Sequence, residues 1–184
     1  MTEGCGRQVV CLGFFDGVHL GHLALLQAAR RIADEHGWPV CVHTFDHAPA
    51  GKGTALTTLA EREALLLQAG ADRVAQSAFD DEMRCMRGDD FFRRVVLGQL
   101  RAGHVICGDD HRFGYRGAWG VRELAQLCRE AGVGLTVVPP VCLPDGTRIS
   151  TTAIKGALAR QDWPMAEAML GRSVNRQENS DNND

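Results

Sequence analysis

Short apolar runs alternate with longer amphipathic ones along this chain, and that alternation constrains the fold more than any other feature. "QVVCLGFF" (8–15) is brief, apolar and rich in β-branched residues, and reads as a buried strand. Residues 20–36 then place Leu20, Leu23, Leu26, Ala29 and Ile32 on one helical face and stop at Gly37. A second strand is expected at 38–45, and a helix at 57–70 with Thr58 as its cap and Glu61 three residues on. Further strands are expected at 72–79, 104–110 and 133–141, with helices at 89–102 and 120–131 between them. The stretch 150–172 predicts two helices broken near Trp163 and Pro164. Repeated strand-then-helix order predicts an α/β fold, a parallel sheet of five or more strands with helices on both faces. One domain over 1–172 and a disordered polar tail over 173–184 complete the expected organisation.

A length of 184 residues is enough for one domain with a real core. A net charge of −3 gives no global pull towards nucleic acid or an anionic membrane. Seven cysteines are present but no C-x-x-C pair, which argues against a zinc knuckle and for buried free thiols in a reducing compartment. The N-terminus has no signal-peptide core, and no stretch reaches the roughly 18 apolar residues of a membrane-spanning helix. The cytoplasm is therefore the expected location.

In open α/β sheets ligands bind beyond the carboxyl ends of the strands. Residues 13–22, 46–53, 108–120 and 150–155 fall there. Two common phosphate loops are excluded. Gly51-Lys52 is followed by glycine rather than serine or threonine, and "GFFDGVHLGH" lacks the G-x-G-x-x-G spacing. What remains is "HLGH" at a helix start. Helix N-termini offer free N–H groups and partial positive charge, and His19 and His22, three apart, lie on one face. Imidazole donates to phosphate oxygen, more strongly when protonated, and Gly21 leaves room for a phosphate to approach. No third ligand suggests a histidine metal site. "RISTTAIKGAL" (148–158) supplies three hydroxyls, Ser150, Thr151 and Thr152, at another helix start, with Lys155 one turn on. It reads as a second anion cradle or as an ordinary cap with a surface lysine.

Taken together, these motifs resemble the FMN adenylyltransferase module of bacterial bifunctional riboflavin kinase/FAD synthetases, within the H-x-G-H nucleotidylyltransferase superfamily. "GFFDGVHLGH" resembles the family's G-x-F-D-G-V-H-x-G-H, "CGDDHRFG" its G-x-D/N-F-x-F-G, "ISTTAIK" its I-S-S-T-x-I-R, and "MAEAMLGR" its closing A-x-x-L-G-R. The resemblance implies a Rossmann-like three-layer sandwich of nucleotidylyltransferase type. It implies transfer of AMP from ATP to the phosphate of FMN, with Mg²⁺ carried mainly on the nucleotide phosphates. By the family pattern His19, His22 and Lys155 would be catalytic. Gly13, Phe14, Phe15, Asp16, Gly17, Gly21, Gly108, Ser150, Thr151 and Thr152 would complete the nucleotide site. His47, Pro49, Asp110, His111, Phe113 and Trp119 would face the acceptor.

The chain departs from the pattern mainly on the acceptor side. The family's F-D/E-P-H-P reads "FDHAP" (45–49), with His47 and Ala48 in place of proline and histidine. His111 replaces an aromatic residue, Trp119-Gly120 stands where the family has G-D, and Lys155 replaces arginine. The chain ends twelve residues after Arg172, without the riboflavin kinase module that normally follows, so it is not expected to make FMN itself. Two alternatives stay open: a nucleotidylyltransferase, with ATP or CTP, acting on another phosphorylated small molecule, and a non-catalytic nucleotide or flavin binder.

Overall fold

The computed structural model describes residues 6–47 and 53–174. Ala48, Pro49 and the tail from 175 onward lie outside the described residues. Five strands, β1 (Gln8–Leu12), β2 (Val40–Phe45), β3 (Arg73–Ser77), β4 (Ala102–Gly108) and β5 (Gly134–Val138), form one wholly parallel sheet in the order β3-β2-β1-β4-β5. All of β1 is buried, as a central strand covered on both faces must be. Alternate side chains go to opposite layers. Val9 and Cys11 join Leu26 and Ala29 of α1 (Leu20–His36), whereas Val10 and Leu12 join Val95 and Val96 on the other face.

The helix starts follow their sequence signals. α1 has His19 in extended geometry before it and Gly37 at φ 66° after it. α2 (Leu59–Gln68) opens on a reciprocal cap: Glu61 N–H donates to the Thr58 hydroxyl, and Thr58 N–H donates to the Glu61 carboxylate. α5 (Val121–Ala131) ends at Gly132, again at positive φ. The four buried cysteines, Cys11, Cys41, Cys107 and Cys128, are free thiols, and burial pushes Cys107 up to about 12 and Cys128 to about 11. That is the inert state expected of them.

Two regions differ from the sequence reading. The expected helix at 89–102 is α4 (Gly88–Phe91) running into a π-helical stretch, Phe92–Gln99. Its closing bond runs from Leu100 N–H to the Val95 carbonyl, and the wider turn buries Phe91, Phe92, Val95, Val96 and Leu100 together. A short helix, α3 (Asp81–Cys85), capped by Asp80, precedes it. The C-terminal pair is α6 (Thr151–Ala159) and α7 (Trp163–Leu170). They are the two helices expected, parted just before Trp163; Pro164 sits in the first turn of α7, where a residue needs no N–H partner, and Asp162 caps that turn through Met165 N–H at 3.2 Å. These two helices carry a small apolar cluster of their own, with Ile154, Ala157, Met169 and Leu170.

Candidate active site

The sheet order reverses direction at β1, so the crevice between the carboxyl ends of β1 and β4 is where such a fold places its ligand. The loop leaving β1 there is unusually contorted. Phe15 has φ 56°, Gly17 77° and Val18 40°. Positive φ is costly at a bulky residue and most costly at a β-branched one, on the order of 1–3 kcal/mol each. Surrounding contacts enforce it. Phe15 and Val18 are buried, and the Phe14 carbonyl accepts from the Thr44 hydroxyl at 2.8 Å.

Asp16 is the centre of this network and is only 3 % exposed. Its Oδ1 accepts from the N–H groups of Leu56 (2.7 Å) and Thr57 (3.2 Å) and from the Thr57 hydroxyl (3.4 Å). Its Oδ2 lies 3.5 Å from Lys155 Nζ. The carboxylate expected to touch nucleotide is thus committed inside the protein, where it fixes the loop and anchors a cation from α6.

His19 and His22 stack with ring centroids 3.6 Å apart and planes 18° from parallel. His22 Nδ1 accepts from His19 N–H at 3.3 Å, so neutral His22 carries its proton on Nε2, the far edge of the ring. His19 is buried, and its Nδ1 has no hydrogen-bond partner. Burial pushes its imidazole down to about 4, against the upward pull of Asp16 and Asp110 and with a further push from Arg172. His19 is therefore a neutral donor near pH 7 in the ligand-free protein, not the protonated one that the sequence allowed. Gly21 also has a task inside the protein. A Cβ there would lie 3.0 Å from the His19 ring, so this glycine makes room for the histidine.

The start of α6 lies against the same loop. The Thr151 hydroxyl donates to the Asp16 carbonyl at 3.1 Å, and the Ser150 hydroxyl accepts from Ala153 N–H at 3.1 Å. Thr152 is exposed. Of the three hydroxyls expected around phosphate, one caps the helix and one ties it to the β1 loop. Lys155 stands over Asp16. The structure therefore brings His19, His22, Asp16, Thr151 and Lys155 into one constellation.

The acceptor-side residues are more scattered. His47 is 82 % exposed and pairs through Nδ1 with Asp46 at 2.9 Å. Asp46 in turn accepts from Phe79 N–H. Asp110 is exposed and faces Arg148 at 3.2 Å, and Gly108 sits beneath it. His111 lies parallel to the Phe113 ring at 5.8 Å. Phe113 and Trp119 pair through their backbones, and both pack in the apolar layer, where Trp119 covers Gly88. Phe113 is buried there and Trp119 half-buried.

Three arginines escaped the sequence reading. Arg148 leaves a turn closed by Leu143 and Thr147 and holds Asp109 at 2.7 Å across the crevice mouth. It directly precedes "ISTT", which is the signal that could have found it. Arg62 is 1 % exposed, lies 4.3 Å over the Phe14 ring and donates to the Phe45 carbonyl at 2.7 Å, with Nε and Nη1 unpartnered. Its place four residues before buried Leu66 is the pattern that marks it as inward-facing. Arg172 donates to the carbonyls of Gly17 and Val18. Among the described residues no three His, Cys, Asp or Glu side chains are grouped to hold a metal ion.

Residues 2–153 match the family model described as FAD synthetase. A bifunctional riboflavin kinase/FMN adenylyltransferase from Pseudomonas fluorescens is 37 % identical over 176 residues, which are 92 % of this chain and 55 % of that protein. The chain thus spans about half the length of such relatives. A shorter protein from Geobacillus thermodenitrificans, bearing the same bifunctional designation provisionally, is 35 % identical over 89 % of both chains. A crystal structure of a macrolide-efflux protein from Streptococcus pneumoniae superposes with a TM-score of 0.81 at 26 % identity, over 92 % of this chain and 57 % of that one.

Proposed function

The chain belongs to the FAD synthetase family, and from that premise we propose that it transfers AMP from ATP to the phosphate of FMN, giving FAD and pyrophosphate. The observation that carries this reading is the stacked pair His19 and His22, at the N-terminus of α1, joined through Asp16 to the Lys155 turn of α6. Two helix N-termini and a cation at one crevice suit a triphosphate.

The chemistry asks for no protein nucleophile. An FMN phosphate oxygen, already anionic, attacks the α-phosphorus in line; the new P–O bond forms as the bond to the bridging oxygen breaks, and pyrophosphate leaves with its electron pair. Catalysis is then placement and charge stabilisation. His22 would donate from Nε2, His19 would donate as a neutral imidazole, and Lys155 would offset charge on the leaving phosphates. Mg²⁺ would arrive on the triphosphate, and Asp110, an exposed carboxylate at the crevice, would stand ready to meet it. Bound there, the ion would neutralise charge on the phosphate oxygens.

Incubating purified protein with ATP, Mg²⁺ and FMN, and measuring FAD by chromatography beside pyrophosphate release, tests the reading. Equal yields of the two are expected. Pyrophosphate release with a different phosphate ester, and none with FMN, would favour the other-acceptor reading, for which the outward-turned His47 is the structural motive. We also propose a cytoplasmic location; among the described residues no helix is long and apolar enough to cross a membrane.

A further inference from the structure

The loop that sets His19 is held from the opposite end of the described chain. Arg172 Nη1 donates to the Val18 carbonyl at 2.9 Å and Nη2 to the Gly17 carbonyl at 2.6 Å. These are consecutive peptides in the positive-φ turn that leads directly into His19. A guanidinium presents two parallel donors in a fixed plane, which suits two neighbouring carbonyls; an ammonium is a single point.

The two residues before Arg172 press on the same segment. Gly171, at φ 69°, comes so close to α1 that a Cβ would lie 2.5 Å from Leu20 Cδ2. Leu170 Cδ2 would be 3.7 Å from a Cβ at Gly17. Leu170, Gly171 and Arg172 therefore touch Gly17, Val18 and Leu20, the residues on both sides of His19. Burial pushes the Arg172 guanidinium below its ordinary value, and Glu61 opposes that push. Gly17 and Val18 lie within residues 2–153, which match the FAD synthetase family model, whereas Arg172 lies beyond them, at the close of "MAEAMLGR".

We propose that Arg172 is a positioning residue for nucleotidyl transfer, acting through the Gly17 and Val18 carbonyls to hold the strained turn and aim His19. The inference rests on the nucleotidyl-transfer reading for its kinetic consequence, and on geometry alone for its effect on the turn. Besides Arg172, the titratable groups facing His19 are Asp16, Asp110 and His22.

Arg172→Met and Arg172→Lys, checked for folding by circular dichroism, provide the test, with kcat, KM for ATP and the His19 imidazole titration by NMR as readouts. For Arg172→Met, kcat is expected to fall by about 10- to 100-fold, the scale of a misplaced reacting group, while KM for ATP moves by less than about threefold. Its ligand-free His19 midpoint should rise from about 4, because the opposing cation is gone. Arg172→Lys keeps the charge and should keep the midpoint low, yet remain at least about fivefold slow, since one ammonium cannot hold two carbonyls. If the methionine variant does not fold, the lysine variant decides. Folded variants with wild-type kcat and an unmoved His19 would overturn the proposal, as would full rescue of kcat by lysine. Wild-type protein that makes no FAD would instead defeat the functional reading, and the substrate-free titration would still decide this one.

Discussion

The two sides of the crevice are built differently. On the nucleotide side, Asp16, Phe15 and Val18 are buried, the turn is strained, and bonds reach it from Thr44, Leu56, Thr57, Thr151, Lys155 and Arg172. On the side proposed for the acceptor, His47 and Asp110 are exposed, His47 set only against Asp46 and Asp110 against Arg148. Strain persists only where surroundings over-determine it, so the first side is preorganised and the second is adaptable. Under the proposed transfer, the bond to be made would thus be specified more tightly than the molecule that receives the nucleotide.

The sharpest way to break that contrast is His19→Ala. It should lower kcat at least about 100-fold, the scale of one lost transition-state donor, and leave the fold intact. Near-wild-type turnover would remove His19 from the mechanism. Next comes Asp16→Ala, which leaves the Leu56 and Thr57 N–H groups and Lys155 without their shared partner. Urea unfolding should show a loss of about 2–4 kcal/mol, as for other buried charges stripped of a partner.

Acidification gives a third, graded test. His19 and His43 are held neutral, both pushed by burial from 6.5 to about 4. The unfolded chain takes up their protons first, so the stability they contribute is complete above about pH 6.5 and is lost as pH falls towards 4. Urea midpoints should decline over that window, and His43→Gln should flatten the decline; an unchanged slope would show that His43 is not held neutral. The smallest effect belongs to the open side. His47→Ala, which breaks only an exposed pair, should change KM for the acceptor by less than about threefold. A larger change would make that loop a specific site and erase the contrast.

What the sequence made legible was local. Strand and helix alternation, the Thr58–Glu61 cap and the closing glycine after α1 depend on neighbours a few residues apart, and all appear as read. "HLGH" and "ISTT" were legible because helix starts advertise free N–H groups. The tasks of Asp16, Gly21 and Arg172 were not, since each depends on a partner set by folding: Leu56 is 40 residues from Asp16, and Gly17 is 155 from Arg172. The π-helical stretch was hidden because its apolar spacing mimics a helical face until Leu100 bonds back to Val95. The packing of Phe113 and Trp119 was likewise set by folding, since Gly88 leaves space beneath the Trp119 indole.

The most direct measurement mixes the protein with ATP, Mg²⁺ and FMN, and follows FAD and pyrophosphate together, with His19→Ala alongside. Stoichiometric FAD and pyrophosphate from the wild type, lost in the variant, is the expected result. Pyrophosphate without FAD, or FAD formation that survives the loss of His19, would contradict it.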